Sequence, residues 1–253
     1  MNVMKNKKIS SEFNNKIILL TGCEGKLGSE IKKTYLELGA KVYGIDIKKS
    51  LKSNIFKADI SKEKPINKII NRIIKSEGKI DIIINNAGVS VYSPMEKRKS
   101  SEIDFTLNVN VKGLINIIKS YFKIHKKKKL KSCKIINISS IYGIVAPDFR
   151  VYSKNDNINS EIYGASKAAV IQLTKYFATL FGKNNILVNC VSPGGIHDKN
   201  HSKFFLNQYK KRVPLNRLAI EKDIIGAILY FSSNGCSYTT GQNLVIDGGL
   251  SSW

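Results

Sequence analysis

Tyr163 and Lys167 stand four residues apart in Tyr-Gly-Ala-Ser-Lys. On a helix that spacing places the phenol and the ammonium on one face. A neighbouring ammonium favours a phenolate, and a phenolate can exchange a proton with an alcohol or carbonyl oxygen. The pair alone makes no site, because a lysine-rich chain also produces it on solvated helix faces. It needs partners, in order, on elements that converge.

Composition sets the frame for those elements. The 253 residues fit one large α/β domain, with residues 1–14 a basic extension. No apolar run approaches the ~20 residues that cross a bilayer, and Ile17 to Leu20 is too short for a signal-peptide core. Cys23, Cys133, Cys190 and Cys236 are scattered with no paired spacing, which points to a reducing cytoplasm and against a disulfide framework or zinc site. His125, His197 and His201 show no triad or ligand spacing, so no metal and no catalytic histidine is expected. The net charge of +23 invites a nucleic-acid reading. That excess is nearly all lysine, the poorer residue for bidentate phosphate or base recognition. Arginine occurs only at 72, 98, 150, 212 and 217. The densest run, Lys126 to Lys129, follows an apolar helical stretch, where cations meet a helix C-terminus favourably. Nucleic-acid binding is therefore unfavoured as the main function.

Short apolar runs alternate with amphipathic ones. Strands are expected at 15–22, 41–46, 54–59, 80–86, 134–140, 186–191 and 244–247. Helices are expected at 29–38, 66–74, 101–124, 160–181 and 221–231. Such alternation implies a doubly wound, seven-stranded parallel sheet of Rossmann type with helices on both faces. Sites in these folds lie beyond the carboxyl ends of the strands. Gly22, Asp46, Asn86 and Ser140 all fall at strand ends. The polar, Asn- and Ser-rich stretch 144–161 is the one irregular segment and leads into Tyr163.

Between the first strand and helix the glycines run Gly22-x-x-Gly25-x-x-Gly28. A glycine-rich turn there lets backbone N–H groups approach a pyrophosphate at a helix N-terminus. Asp46 follows Gly28 by 18 residues, about where a dinucleotide fold places the acid for the ribose hydroxyls. A carboxylate at that place repels a 2′-phosphate and favours NAD. Lys48 and Lys49 soften that preference and leave NADP possible.

The chain resembles the short-chain dehydrogenase/reductase family over nearly its whole length, as a single-domain member. Thr21-Gly22, Asp46, Asp59-Ile60, Asn85-Asn86-Ala87-Gly88, Asn110, Ser140, Tyr163, Lys167 and Pro193-Gly194 occur in the family's order. The resemblance implies that Gly22, Glu24, Gly25, Lys26, Leu27 and Gly28 form the cofactor turn. It also implies that Asp59 and Ile60 meet the adenine, that Asn86, Ala87 and Gly88 line the cofactor, and that Pro193, Gly194 and Ile196 flank the nicotinamide. Two departures stand out. Lys26 occupies a position where single-domain members carry glycine, and Gly195-Ile-His-Asp-Lys-Asn200 lacks the threonine often found after Pro-Gly.

The chemistry implied is hydride transfer between a nicotinamide and an alcohol or carbonyl carbon, with the protein handling the proton. Tyr163 would be the acid/base. Lys167 would lower its pKa and hold the nicotinamide ribose. Ser140, preferred to Ser139, would bind the substrate oxygen, and Asn110, preferred to Asn108, would hold a relay water behind the lysine. Tyr163 follows Ser140 by 23 residues, a longer step than in typical single-domain members. That segment resembles a subgroup associated with bacterial surface-sugar and flagellin-glycan biosynthesis. Its polar residues and Arg150 suit a hydroxylated or phosphorylated substrate. A 3-oxoacyl-carrier-protein reductase is the competing enzyme, and a non-catalytic dinucleotide-binding protein the competing class. Helices at about 101–124 and 160–181 would pair with their copies in a homodimer or homotetramer.

Overall fold

A computed structural model of the chain describes residues 11–48, 54–154 and 156–253. Most of the expected basic extension, residues 1–10, lies outside them. Seven strands form one parallel sheet: β1 (Ile17–Thr21), β2 (Lys41–Asp46), β3 (Ile55–Lys57), β4 (Ile82–Asn85), β5 (Cys133–Ile138), β6 (Ile186–Pro193) and β7 (Asn243–Ile246). Their order is β3-β2-β1-β4-β5-β6-β7, and every pairing is parallel. The winding direction reverses between β1 and β4, so the crevice for a ligand opens there.

The strands are mostly apolar because helices cover both faces. On one face Leu19, Ile83, Ile135 and Val188 pack against α2 (Glu63–Glu77), α4 (Leu114–Lys128) and α5 (Glu161–Phe181). On the other, Leu20, Ile84, Ile136 and Val191 pack against α1 (Lys26–Glu37) and α7 (Glu221–Ser232). Phe13, from the last residues of the N-terminal extension, is 1 % exposed and meets Tyr35 edge-on at 5.4 Å, so that end of the extension belongs to the core. Lys126 to Lys128 form the last turn of α4, and Lys129 caps it in the left-handed region, as the charge run suggested.

Two expectations need correction. The amphipathic stretch from 101 is two helices, α3 (Ser100–Leu107) and α4, joined by a π-helical turn at Asn108–Gly113. The turn forms because the Asn110 side chain bonds the Val89 backbone on both sides, at 2.8 and 2.9 Å. Gly113 is required there, since a Cβ would come 2.5 Å from Ile60 Cδ1. The second is an unexpected helix, α6 (Lys203–Lys210). Its Phe205 and Tyr209 form a third apolar cluster with Val151, Val213 and Leu218, which anchors the 144–161 segment.

Ile83 is fully buried at the centre of the sheet. Ile83→Ala should lower unfolding free energy by roughly 2–5 kcal/mol in urea titration. Tyr238→Ala, at a side chain wholly in solvent, should stay within about 0.5 kcal/mol.

Candidate active site

Two cavities open along the carboxyl edge of the sheet. One, of about 690 Å³, is lined by Gly22, Gly25, Lys26, Leu27, Gly28, Asp46, Asp59, Ile60, Asn86, Ala87 and Gly88. Gly22 leaves β1 with φ +65°, and a Cβ on it would lie 2.8 Å from Ala87 Cα. A Cβ on Gly28 would lie 2.0 Å from the Gly22 carbonyl oxygen. Neither position admits a side chain. Helix α1 starts at Lys26 with Gly25 as its cap and no side chain on its first N–H groups. Those donors are free for an anion. Asp46 ends β2, where its carboxylate accepts the Glu24 N–H at 2.9 Å and the Lys48 N–H at 3.0 Å. The turn and the acid are thereby fixed to each other. Asp59 accepts the Ser61 N–H at 2.8 Å and so shapes the far wall.

These residues fit a dinucleotide, with two refinements. The Asn86 amide donates to the Thr21 and Gly22 carbonyls at 3.1 and 3.0 Å, so it braces the turn from beneath. Glu24 contributes its N–H to Asp46, while its side chain pairs with Lys32 and is absent from the cavity lining.

The second cavity, of about 680 Å³, shares Leu27, Asn86, Gly88 and Val89 with the first. Ser140, Tyr163, Lys167, Pro193, Gly194 and Ile196 all line it. Ser160 caps α5 by accepting the Tyr163 N–H, which puts Tyr163 in the first turn and Lys167 one turn later. The Lys167 ammonium is buried, donates to the Ile138 carbonyl at 3.0 Å, and sits 5.7 Å from the Tyr163 ring centre. Ser139 turns its hydroxyl to the Lys167 carbonyl at 2.7 Å. Ser140 accepts the Tyr142 N–H at 3.2 Å and lines the cavity beside Tyr163. The tightness of this corner shows at Gly143, where a Cβ would lie 2.7 Å from the Lys167 carbonyl carbon.

Burial pushes the Lys167 ammonium down to about 8, against a smaller upward pull from Cys190. Burial also raises the Tyr163 phenol, opposed by the Ser140 hydroxyl. In the ligand-free protein the phenol is thus shifted upward, opposite to the lowering expected from Lys167. Desolvation of the phenolate dominates, and Ser140 rather than Lys167 opposes it.

Asn110 lies behind the cavities. Its amide also donates to Ser166 at 2.9 Å, and with Lys167, Thr21 and Asn85 it borders a void of about 10 Å³. That is close to the room one water needs, and Asn85 Oδ1 is buried without a partner. Asn108 instead lines the glycine-turn cavity.

The sequence places the 144–161 segment on the substrate side, and its Tyr152 and Asp156 do line the second cavity, but the rest of the outer wall carries no signal. Tyr92, Tyr142, Tyr152 and Tyr209 face it, with Asp156, Asp198 and His201. The Tyr142 and Tyr152 hydroxyls bond each other at 2.7 Å, and Tyr209 accepts the Gly195 N–H at 2.8 Å. Burial raises these phenols and lowers His201, so all are neutral near pH 7. Tyr209 lies on α6, for which no helix was expected, and the others carried no spacing signal. Arg150 does not line this cavity. It pairs with Asp148, as does Arg212, beside a separate chamber of about 310 Å³.

Comparison with known proteins agrees with this geometry. The profile of a family described as enoyl-(acyl carrier protein) reductase matches residues 26–251. A 3-oxoacyl-(acyl-carrier-protein) reductase of Thermotoga maritima is 30% identical over 93% of this chain and 97% of its own. An NADH-dependent L-xylulose reductase of Ambrosiozyma monospora is 28% identical, over 95% and 97%. Among solved structures, a short-chain dehydrogenase of Leptospira borgpetersenii with bound NAD+ superposes with a TM-score of 0.89 at 37% identity, covering 96% of this chain and 95% of that one. Sheet order, glycine turn and these matches agree: the chain belongs to the short-chain dehydrogenase/reductase family of NAD(P)-dependent oxidoreductases.

Proposed function

We propose that this single-domain enzyme oxidises or reduces a hydroxylated substrate such as a sugar, with NAD as the cofactor. The observation that carries the reading is the placement of Tyr163, Ser140 and Lys167 on one wall of a cavity contiguous with the glycine turn. The nicotinamide supplies or accepts the hydride. Gly22, Gly25, Gly28 and Asp46 hold the nucleotide, and Pro193, Gly194 and Ile196 border its reactive end. Ser140 donates to the substrate oxygen, and Tyr163 gives or takes its proton. Lys167 supplies the positive charge that favours the phenolate. Asn110 and the void behind Lys167 suit a water that passes the proton onward.

Four tyrosine hydroxyls, Asn157, Asn159 and Asn200 give the outer wall hydrogen-bonding groups throughout. That supports a polyhydroxylated substrate, of the surface-sugar kind suggested by the long 144–161 segment. With Arg150 turned away, an uncharged compound fits better than a phosphorylated one. Reduction of a 3-oxoacyl thioester is the second reading, favoured by the Thermotoga relative. Lys48 and Lys62 line the nucleotide cavity beside Asp46 and make NADP the alternative cofactor. Four free buried cysteines suit the cytoplasm. Among the described residues no helix is long and apolar enough to cross a membrane. Exposed Phe105 on α3 and Tyr176 and Leu180 on α5 support pairing into a homodimer or homotetramer.

Tyr163→Phe should cut turnover by about 10²–10⁴-fold while NADH binding persists; undiminished turnover would remove Tyr163 from the chemistry. Asp46→Ala should move the NAD-to-NADP affinity ratio towards NADP, read by titrating each reduced nucleotide. Lys167 is displaced to about 8 from an ordinary 10.5, so the unfolded chain holds more protons between those values. Its burial therefore costs stability at neutral pH, a cost that disappears as pH rises through that window. Melting temperatures of wild type and Lys167→Met compared from pH 7 to 10 should show wild type gaining on the variant.

A further inference from the structure

Lys26 is the first residue of α1 and departs from the glycine of the family pattern. A lysine at a helix N-terminus meets the positive end of the dipole, so its placement has no local rationale. Its partners are distant in sequence. The ammonium donates to the His197 carbonyl, and lies 3.1 Å from Glu221 and 3.6 Å from Asp198. One hydrogen bond and two ion pairs thus surround the ammonium. His197 and Asp198 belong to the segment after β6, and Glu221 starts α7, which packs beside α1.

The bridge stands at the junction of the two cavities. Lys26 lines the nucleotide cavity, Asp198 lines the tyrosine-walled one, and Leu27 lines both. A ligand that fills both must lie across this junction. We propose that Lys26, by donating to the His197 carbonyl and pairing with the Asp198 and Glu221 carboxylates, is a positioning residue that fastens the post-β6 segment over the junction and retains the dinucleotide. This rests on the dinucleotide reading of the glycine turn. Its two carboxylate partners distinguish it from a lysine that holds the pyrophosphate directly. Side-chain exposures of 49% for Lys26 and 36% for Asp198 make the bridge weak enough to open in each turnover.

The test is the release rate of NADH, followed by fluorescence after mixing the complex with excess NAD+. Lys26→Met should release NADH about tenfold faster, and Lys26→Arg at close to the wild-type rate. The double variant Asp198→Asn, Glu221→Gln should also release faster. Added salt should speed release from wild type but not from Lys26→Met. A purely structural lysine would shift melting temperature without this salt dependence. Slower or unchanged release from the double carboxylate variant would overturn the bridge, because removing acids should tighten binding if Lys26 held the pyrophosphate itself. Unchanged release from Lys26→Met would overturn it equally. Wild type that binds neither NADH nor NADPH would overturn the dinucleotide reading and the bridge with it.

Discussion

The site depends on keeping one lysine ammonium out of water. Lys167 is 5 % exposed and is held by the Ile138 carbonyl at the end of β5. A buried ammonium is tolerated only where acceptors replace its solvent. Here the parallel sheet supplies one, since strand ends present carbonyls that no further ladder consumes. The close approach of α5 follows from the same need. Gly143 lets the loop after β5 pass against the Lys167 carbonyl, and Ser139 ties that carbonyl down. Helix, loop and strand end thus form one rigid corner, and Tyr163 faces the cavity one turn earlier.

That corner makes the ligand-free electrostatics intelligible. The same burial that lowers Lys167 raises Tyr163, so the protein's own groups favour a neutral phenol. Further positive charge beside the phenol opposes its desolvation and favours the phenolate. An oxidised nicotinamide is cationic, so proton abstraction is best supported when the cofactor of the alcohol-oxidising direction is in place. The void bordered by Asn110, Asn85 and Lys167, of about 10 Å³, has room for about one water beside the buried ammonium.

Much of this was legible in the sequence because it rests on local rules. Seven apolar runs mark strands, four of them ending in Gly22, Asp46, Asn86 and Ser140, and sheet order then follows from right-handed crossovers. Tyr163 and Lys167 were legible because helix periodicity fixes their common face. The π-helical turn was not. An amphipathic pattern runs through 101–124 without a break, and only the long-range bonds of Asn110 to Val89 reveal the extra residue in the turn. Asn86 reads as a cofactor contact by its motif, yet its amide is spent on the carbonyls of the turn. The tyrosine wall was hidden for a similar reason. Tyr142, Tyr152 and Tyr209 come from a loop, an irregular insertion and a short helix, and long-range contacts, the Val151–Phe205–Tyr209 cluster and the Tyr142–Tyr152 hydrogen bond, bring them together.

Arg150 shows how far composition alone can carry a substrate argument. An arginine in the loop above the cavity suggests a bound anion, but Asp148 takes its guanidinium through two hydrogen bonds, at 2.9 and 3.0 Å. Asp148 also holds Arg212, and the carboxyl is drawn well below its usual range. A phosphate approaching either arginine would meet a carboxylate already paired with both. The wall of the neighbouring cavity is of another kind, mixing phenols and amides, which can each donate or accept, with the carboxylates of Asp156 and Asp198. Its phenols are already engaged, Tyr142 with Tyr152 and Tyr209 with the Gly195 N–H, so any ligand that bonds them must offer at least as good a partner, because an unpaired buried hydroxyl costs about 1–3 kcal/mol.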